Sequence, residues 1–174
     1  MRKALCLLLL LVADPMEAQT VVTLSADNAA VAVPSSVTIP VGSVSTNFTI
    51  SVGTVTADEI ATITATLNGV SSTFQIQLVA PRKPTLLVCQ PTSLSEGQSS
   101  ICTVTLNLPA IAQLNVLLAS SSPVLSVPGY LPIGSGVKTG SFPATASNVS
   151  KNERVTVVSA IGNVYETAVI RVKK

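Results

Sequence analysis

IATITATLNGVSSTFQIQLV, residues 60–79, decides the fold. Two runs of alternating apolar and polar residues flank Asn68-Gly69, the pair best suited to a two-residue hairpin turn because both central positions need φ > 0. Folding the runs about that turn sets Leu67 opposite Val70, Ala65 opposite Ser72, Ile63 opposite Phe74 and Ala61 opposite Ile76. Those pairs share one, mostly apolar face. Thr62, Thr64, Thr66, Thr73, Gln75 and Gln77 share the other. A slip of one residue would carry the whole apolar set into water, so the register is tightly specified.

A second hairpin follows the same plan. Residues 155–172, VTVVSAIGNVYETAVIRV, turn at Gly162-Asn163 and set Ile161 opposite Val164, Val157 opposite Ala168 and Val155 opposite Ile170. Both belong to a longer repeat. At an offset of 94 residues (Val70 to Val164), residues 22–78 align with 116–172 without a gap. Val33-Pro34 falls on Val127-Pro128, Gly42 on Gly136, Phe48 on Phe142, Val55 on Val149, Glu59 on Glu153, Thr62 on Thr156 and Ile76 on Ile170. A spacing held this long marks two copies of one structural unit.

Each copy has the same order. A short strand (21–25; 115–119) leads into a loop of small polar residues, then a strand near 31–33 or 125–127 closed by proline. A strand pair follows, 37–39 and 47–52 in the first copy, turned at Gly42, and the hairpin completes the unit. Short strands spaced by turn residues indicate a β-sandwich. Composition agrees. Apolar residues make up 47% of the chain but aromatics only 3%, so the interior is built from Val, Leu, Ile and Ala with Thr and Ser between them. Stiff β-branched side chains suit a pleated, half-buried surface.

The second copy opens with residues 85–109, TLLVCQPTSLSEGQSSICTVTLNLP: a strand, a turn at Ser95-Glu96-Gly97-Gln98, and a strand. The first copy has only its leading residues to set against this. Residues 1–18 read as a secretory leader, with Arg2 and Lys3 before the ten-residue apolar run ALCLLLLLVA, too short to span a bilayer. Cleavage after Ala13 or Ala18 fits, although neither site is a clean small-x-small pattern. The same residues also read as the first strand of unit 1. At the repeat offset Pro15 falls on Pro109, Ala18 on Ala112 and Gln19 on Gln113, which places a strand over 7–12. If the segment is removed, the first unit is incomplete and keeps an unpaired sheet edge, an aggregation hazard unless another chain covers it. Both readings imply export. The domains are therefore 1–18 (leader or first strand), 19–80 (unit 1), a linker 81–84 stiffened by Pro81 and Pro84, and 85–174 (unit 2).

Cys89 and Cys102 lie on the two opening strands of unit 2, at positions nearly symmetric about Glu96. In an exported protein this pattern reads as a disulfide, with two reduced buried thiols as the alternative. Cys6 is left over, which favours its removal with a leader.

The run LVCQPTSLSEGQSSICTVTLN, followed by the Val-Pro strand, the glycine turn, the phenylalanine strand and the A-T-x-N-G-V hairpin, resembles bacterial extracellular immunoglobulin-like tandem repeats. The resemblance covers about residues 21–174. It implies two tandem immunoglobulin-like Greek-key sandwiches, used as spacer, stalk or adhesive module of a secreted or surface protein. Partners would be neighbouring immunoglobulin-like domains, or a surface protein or glycan. The S-x-x-E-G-x opening is also similar to Calx-β domains, but the acidic clusters through which those hold calcium are not in this sequence, and the ligand is not carried over.

The chemistry-bearing residues are few. There is no histidine, the usual general base and metal ligand near neutral pH. No serine sits in a nucleophile elbow and no glycine loop is built to cradle phosphate. The expectation is a non-enzyme with no metal and no cofactor. A net charge of +2, without a basic stripe interleaved with aromatics, argues against nucleic acid.

Asp58-Glu59, echoed by Glu153, is the only adjacent acidic pair. Calcium needs six to eight oxygens, so a solvated loop before a strand is the plainer reading. Asp27-Asn28 sits in a loop at one end of unit 1, where binding residues collect, but turn chemistry accounts for it. Lys151, Arg154, Arg171 and Lys173 read as a solvated surface. Tyr130 and Tyr165, the only tyrosines, are the weak binding candidates. With Phe48, Phe74 and Phe142 assigned to the core, these two would have to form any sugar-binding platform, and a carbohydrate-binding accessory module is the alternative function.

Overall fold

The computed structural model describes residues 2–8 and 18–174, the first stretch as backbone only. It contains strands and turns and, among the described residues, no helix. Two compact units divide at Pro81 and Arg82. Unit 1 comprises β1 (Arg2–Leu8), β2 (Thr20–Ala26), β3 (Val31–Ala32), β4 (Ser36–Ile39), β5 (Thr46–Val52), β6 (Glu59–Leu67) and β7 (Val70–Leu78). Unit 2 comprises β8 (Pro84–Gln90), β9 (Ser93–Ser95), β10 (Ser99–Leu106), β11 (Leu114–Ser120), β12 (Leu125–Ser126), β13 (Tyr130–Ile133), β14 (Thr139–Ala146), β15 (Glu153–Ile161) and β16 (Val164–Lys173).

Each unit is a two-sheet sandwich of immunoglobulin-like Greek-key type. In unit 2 one sheet has the order β12-β14-β10-β8 and the other β13-β11-β15-β16-β9. Unit 1 repeats this as β1-β5-β3 and β4-β2-β6-β7. The two hairpins have the registers that their alternation predicts, Ile63 opposite Phe74 and Val157 opposite Ala168. Their turns differ. Asn68 (φ 50°) and Gly69 (φ 80°) are both left-handed, the type I′ pattern. In the second hairpin Gly162 alone has positive φ, at 58°, the type II′ pattern that wants glycine first.

Alternation fills the space between the sheets. In unit 2, Leu87, Val104, Val116, Leu118, Phe142, Val155, Val157 and Ile170 pack into one core. In unit 1, Val22, Leu24, Phe48, Ile50, Ala61 and Ile63 do the same. Cys89 and Cys102 face each other across β8 and β10 and form a disulfide.

Four expectations are corrected. The segments at 37–39 and 47–52 do not pair about Gly42. β4 pairs with β2 and β5 with β1 and β3, so the turn at Gly42 (φ 77°) carries the chain from one sheet to the other. Two short strands beside a glycine look like a hairpin in sequence, and only the partners show a sandwich corner. Second, the outer strands of the 85–109 segment pair as expected, β8 with β10, and the chain turns at Ser95–Gln98, but a further strand lies between them. After Gln90 the chain leaves the sheet of β10, and β9 joins β16 in parallel in the opposite sheet. Third, the described strand at the N-terminus is Arg2–Leu8, and it sets Cys6 opposite Phe48 just as Cys102 stands opposite Phe142, while most of the strand expected over 7–12 lies outside the described residues. The equivalence here runs from Cys6 to Cys102, two residues off the offset that holds elsewhere. Residues 9–17 lie outside the described residues.

The fourth correction concerns Phe74. It lies on the inward face of β7 yet is 44% exposed. Its counterpart in unit 2, Ala168, is packed against the core, and beyond it Ile170 is fully buried because β8 and β9 cover that flank of the sandwich. Among the described residues unit 1 has no strand in that place.

Candidate functional site

The loop carboxylates turn out to be fastenings. Asp27 Oδ1 accepts the backbone N–H of Thr62 at 2.7 Å, while the Asp27 N–H donates to Thr62 O at 3.1 Å. The Thr62 N–H holds the Asp27 carboxyl below the usual carboxylate range. Unit 2 makes the same double link with a neutral group: Ser121 Oγ accepts the Thr156 N–H at 2.9 Å and the Ser121 N–H donates to Thr156 O at 2.9 Å. Asn28 Oδ1 closes its own loop on the Ala30 N–H at 2.8 Å, an Asx turn.

The acidic pair has a comparable role. Asp58 Oδ1 accepts the Ala80 N–H at 3.0 Å, and Asn152 Oδ1, its counterpart, accepts the Lys174 N–H at 2.8 Å. Glu153 Oε1 accepts the Ser122 hydroxyl at 2.7 Å. Among the described residues no three of His, Cys, Asp and Glu gather where they could hold a metal ion.

A groove of about 690 Å³ runs along unit 1 between residues 52–55 and 77–81. Its lining is aliphatic with Thr54 and Gln77, and it holds no titratable side chain. A shallower depression in unit 2 lies beside residues 118–129, again without a charged lining.

The tyrosines are placed where sequence reading could not put them. Tyr130 stands opposite Leu117, Leu117 opposite Ala160, and Ala160 opposite Tyr165. The four therefore form one row across β13, β11, β15 and β16, on the face turned away from the core. Tyr130 is 60% exposed, Leu117 62% and Tyr165 65%. Three strand spacings separate the outer two, about 14 Å between backbones. Farther along the same face Val169 is exposed, and Arg154 stands opposite Arg171.

The equivalent row of unit 1 is Ser36, Thr23, Thr66 and Ser71, in the same pairings. It is a ladder of hydroxyls. Thr66 Oγ1 and Ser71 Oγ lie 2.8 Å apart, and Thr23 Oγ1 donates to Thr66 O at 3.2 Å. The fold thus tolerates a fully polar row here, and packing does not require the aromatic one in unit 2. Sequence reading found both tyrosines but not their alignment, because that depends on the β11–β13 and β11–β15 pairings, which no local pattern encodes.

No family model matches the chain, and no curated protein sequence matches it. Among solved structures, it is similar to the D00-D0 domain of intimin, at 11% identity over 98% of this chain and 100% of that one, with a TM-score of 0.47. It is similar to the D0-D1 domain of intimin, at 12% identity over 89% of this chain and 82% of that one, with a TM-score of 0.43. Domains 4 and 5 of the S-layer protein SbsC share 15% identity over 88% of this chain and 70% of that one, with a TM-score of 0.40.

Proposed function

We propose that this chain is a non-catalytic, exported immunoglobulin-like module of a bacterial secreted or cell-surface protein, an adhesive or spacer unit whose contact face is the outer side of the β13-β11-β15-β16 sheet. The observation that supports this is the Tyr130-Leu117-Ala160-Tyr165 row, exposed in unit 2 and replaced by hydroxyls in unit 1. Tyrosine offers a large, stiff, half-apolar contact area at low conformational cost, which is why it is enriched where proteins touch partners. Neighbouring immunoglobulin-like domains or another surface protein are the partners this reading assigns.

The test exchanges the rows. Tyr130→Ser, Leu117→Thr, Ala160→Thr and Tyr165→Ser together copy the unit 1 row into unit 2. Binding of the labelled protein to intact bacterial and host cells is measured beside its circular dichroism spectrum. Adhesion lost with an unchanged spectrum is the expected result, and adhesion retained by the quadruple variant overturns the reading.

A carbohydrate-binding module is the second reading, favoured by two exposed rings in one row at a spacing that suits separate sugar units along a chain. Glycan-array binding that disappears in Tyr130→Ala/Tyr165→Ala would support it, and binding that survives would remove its basis. The two readings of residues 1–18, cleaved leader or first strand, are separated by mass spectrometry of the mature N-terminus.

A further inference from the structure

We infer that the outer face of the β15–β16 hairpin is a binding strip for an anionic polysaccharide, with Arg154 and Arg171 seating its acidic groups and Tyr165 packing against a sugar ring. The inference rests on the reading of this sheet face as the contact face and names the chemistry that the face takes.

Positive charge is concentrated there. Unit 2 carries eight Lys and Arg against three Glu, although the chain as a whole is only +2. Five of the eight, Lys151, Arg154, Arg171, Lys173 and Lys174, gather at the open end of this hairpin. Arg154 stands directly opposite Arg171, and the Lys174 N–H donates to Asn152 Oδ1, which holds the two chain segments together. The two arginine side chains rise from backbones about 5 Å apart on one exposed face, and like charges so placed destabilise a sheet.

The carboxylates of unit 2 do not offset this. Glu153 takes the opposite side of β15 from Arg154 and accepts the Ser122 hydroxyl at 2.7 Å. Glu166 stands opposite the fully buried Ser159, on the inner side of β16. Glu96 sits in the turn beyond β9. Nor does the fold require the arginine pair. At the same register unit 1 places Ile60 opposite Gln77, and it has Ala57, Val79 and Ala80 where unit 2 has Lys151, Lys173 and Lys174. A like-charge pair that the fold does without is accounted for by a bound anion.

Shape narrows the ligand. Tyr165 and Arg171 are six residues apart on β16, about 20 Å of strand. The outward residues between them are Thr167 and Val169, with Val158 and Thr156 opposite on β15. These small, uncharged side chains leave a shallow lane from the ring to the cations, long enough for an extended polymer. β15 is paired on both sides, and β9 closes the other edge of β16 at Arg171 and Lys173, so no acidic peptide can add there as a strand. The ring stands at one end of the lane and the cations at the other, unlike the aromatic platforms set along a basic groove that hold nucleic acid. A chain of acidic sugars fits both ends. One ring lies on Tyr165, and carboxylate or sulfate oxygens take the paired N–H donors of the guanidinium groups.

The test titrates the full chain by calorimetry with polygalacturonate, dextran sulfate and uncharged dextran. At least one anionic polymer should bind and dextran should not; the two anionic arms tell carboxylate from sulfate. Arg154→Ile/Arg171→Gln, which copies the unit 1 pair, should weaken that binding at least tenfold without lowering the thermal midpoint. Lys83→Gln/Lys138→Gln removes the same charge from connections outside this sheet and should weaken it less than threefold. Tyr165→Ser should weaken it at least threefold. Added salt should weaken the parent more steeply than the arginine variant. The inference is overturned if neither anionic polymer binds, if dextran binds as well, if the two double variants lose affinity equally, or if Tyr165→Ser binds like the parent. Cell adhesion separates this failure from failure of the contact face. Adhesion lost in the quadruple row variant but kept in Arg154→Ile/Arg171→Gln leaves the contact face standing and overturns the polysaccharide. Adhesion abolished by protease treatment of the cells, with no polymer bound, assigns the face to an acidic protein and overturns it too.

Discussion

Asp58 and Asn152 do one job in two chemistries. Each accepts a backbone N–H from just past the last strand of its unit, Asp58 from Ala80 and Asn152 from Lys174. The link ties the start of each hairpin to its end, where the strands would otherwise fray. Replacing either residue by alanine removes an acceptor and leaves a backbone donor to water. Asp58→Ala and Asn152→Ala should each cost about 1 kcal/mol in the unit that carries them. Urea unfolding followed by residue-resolved hydrogen exchange assigns the loss to the correct unit.

The Asp27 clip makes the first unit sensitive to acid. Its carboxyl has a folded pKa below the unfolded value because the Thr62 N–H favours the charged form. The contribution is therefore fully present above the ordinary aspartate value of about 4 and is lost as the pH falls through the lower folded value. Unit 1 should lose stability over that acidic window. Asp27→Asn, which keeps an acceptor oxygen but no titratable proton, should flatten the loss. Unit 2, clipped by Ser121, should not share this dependence. Thermal unfolding scanned from pH 2 to 6 reads all three outcomes.

Buried hydroxyls offer a stabilising change. Ser100 and Ser159 are fully buried and their Oγ atoms have no hydrogen-bond partner. Unit 1 places Ala65 where unit 2 has Ser159, and Ala65 is equally buried. Ser159→Ala should raise the stability of unit 2 by about 1 kcal/mol, because it removes a desolvated hydroxyl and opens only a small void. A higher denaturation midpoint with an unchanged slope is the expected observation.

The matched isoleucines measure what the cover that β8 and β9 give to unit 2 is worth. Ile170 is fully buried, whereas Ile76 at the same position of unit 1 is half-buried. Ile170→Ala should cost about 3 kcal/mol or more. Ile76→Ala should cost about half as much, since part of its surface already meets water. Equal losses in the two units would show that β7 is covered in solution.

The sequence carried the strands and hairpin registers well, because alternation and turn residues are local signals. Thr62 fell on Thr156 and Gly42 on Gly136 without structural guidance. What escaped it was every relationship set by a distant partner. The corner at Gly42 resembled a hairpin because β4 and β5 are adjacent in the chain, although their partners lie in opposite sheets. Phe74 alternated correctly with the polar residues of β7, but alternation tells which face a side chain takes, not whether anything covers that face. The two-residue displacement of β1 arose because a uniform run of leucines fits any register. The glycine turns and the cysteine pair were readable, but the aromatic row was not, since four separate strands must align to make it.

The parallel pairing of β9 with β16 bears on how unit 2 answers mechanical load. These strands lie near opposite ends of its chain yet run in the same direction. A pull on the two ends would slide them past each other and strain their hydrogen bonds together, instead of peeling them apart singly. The crosslink between Cys89 and Cys102 would also hold the leading strand to its neighbour after that patch let go. A tether built from such units would resist tension first through its outermost strands, and its lifetime under force would follow their rupture rate rather than the equilibrium stability of the core.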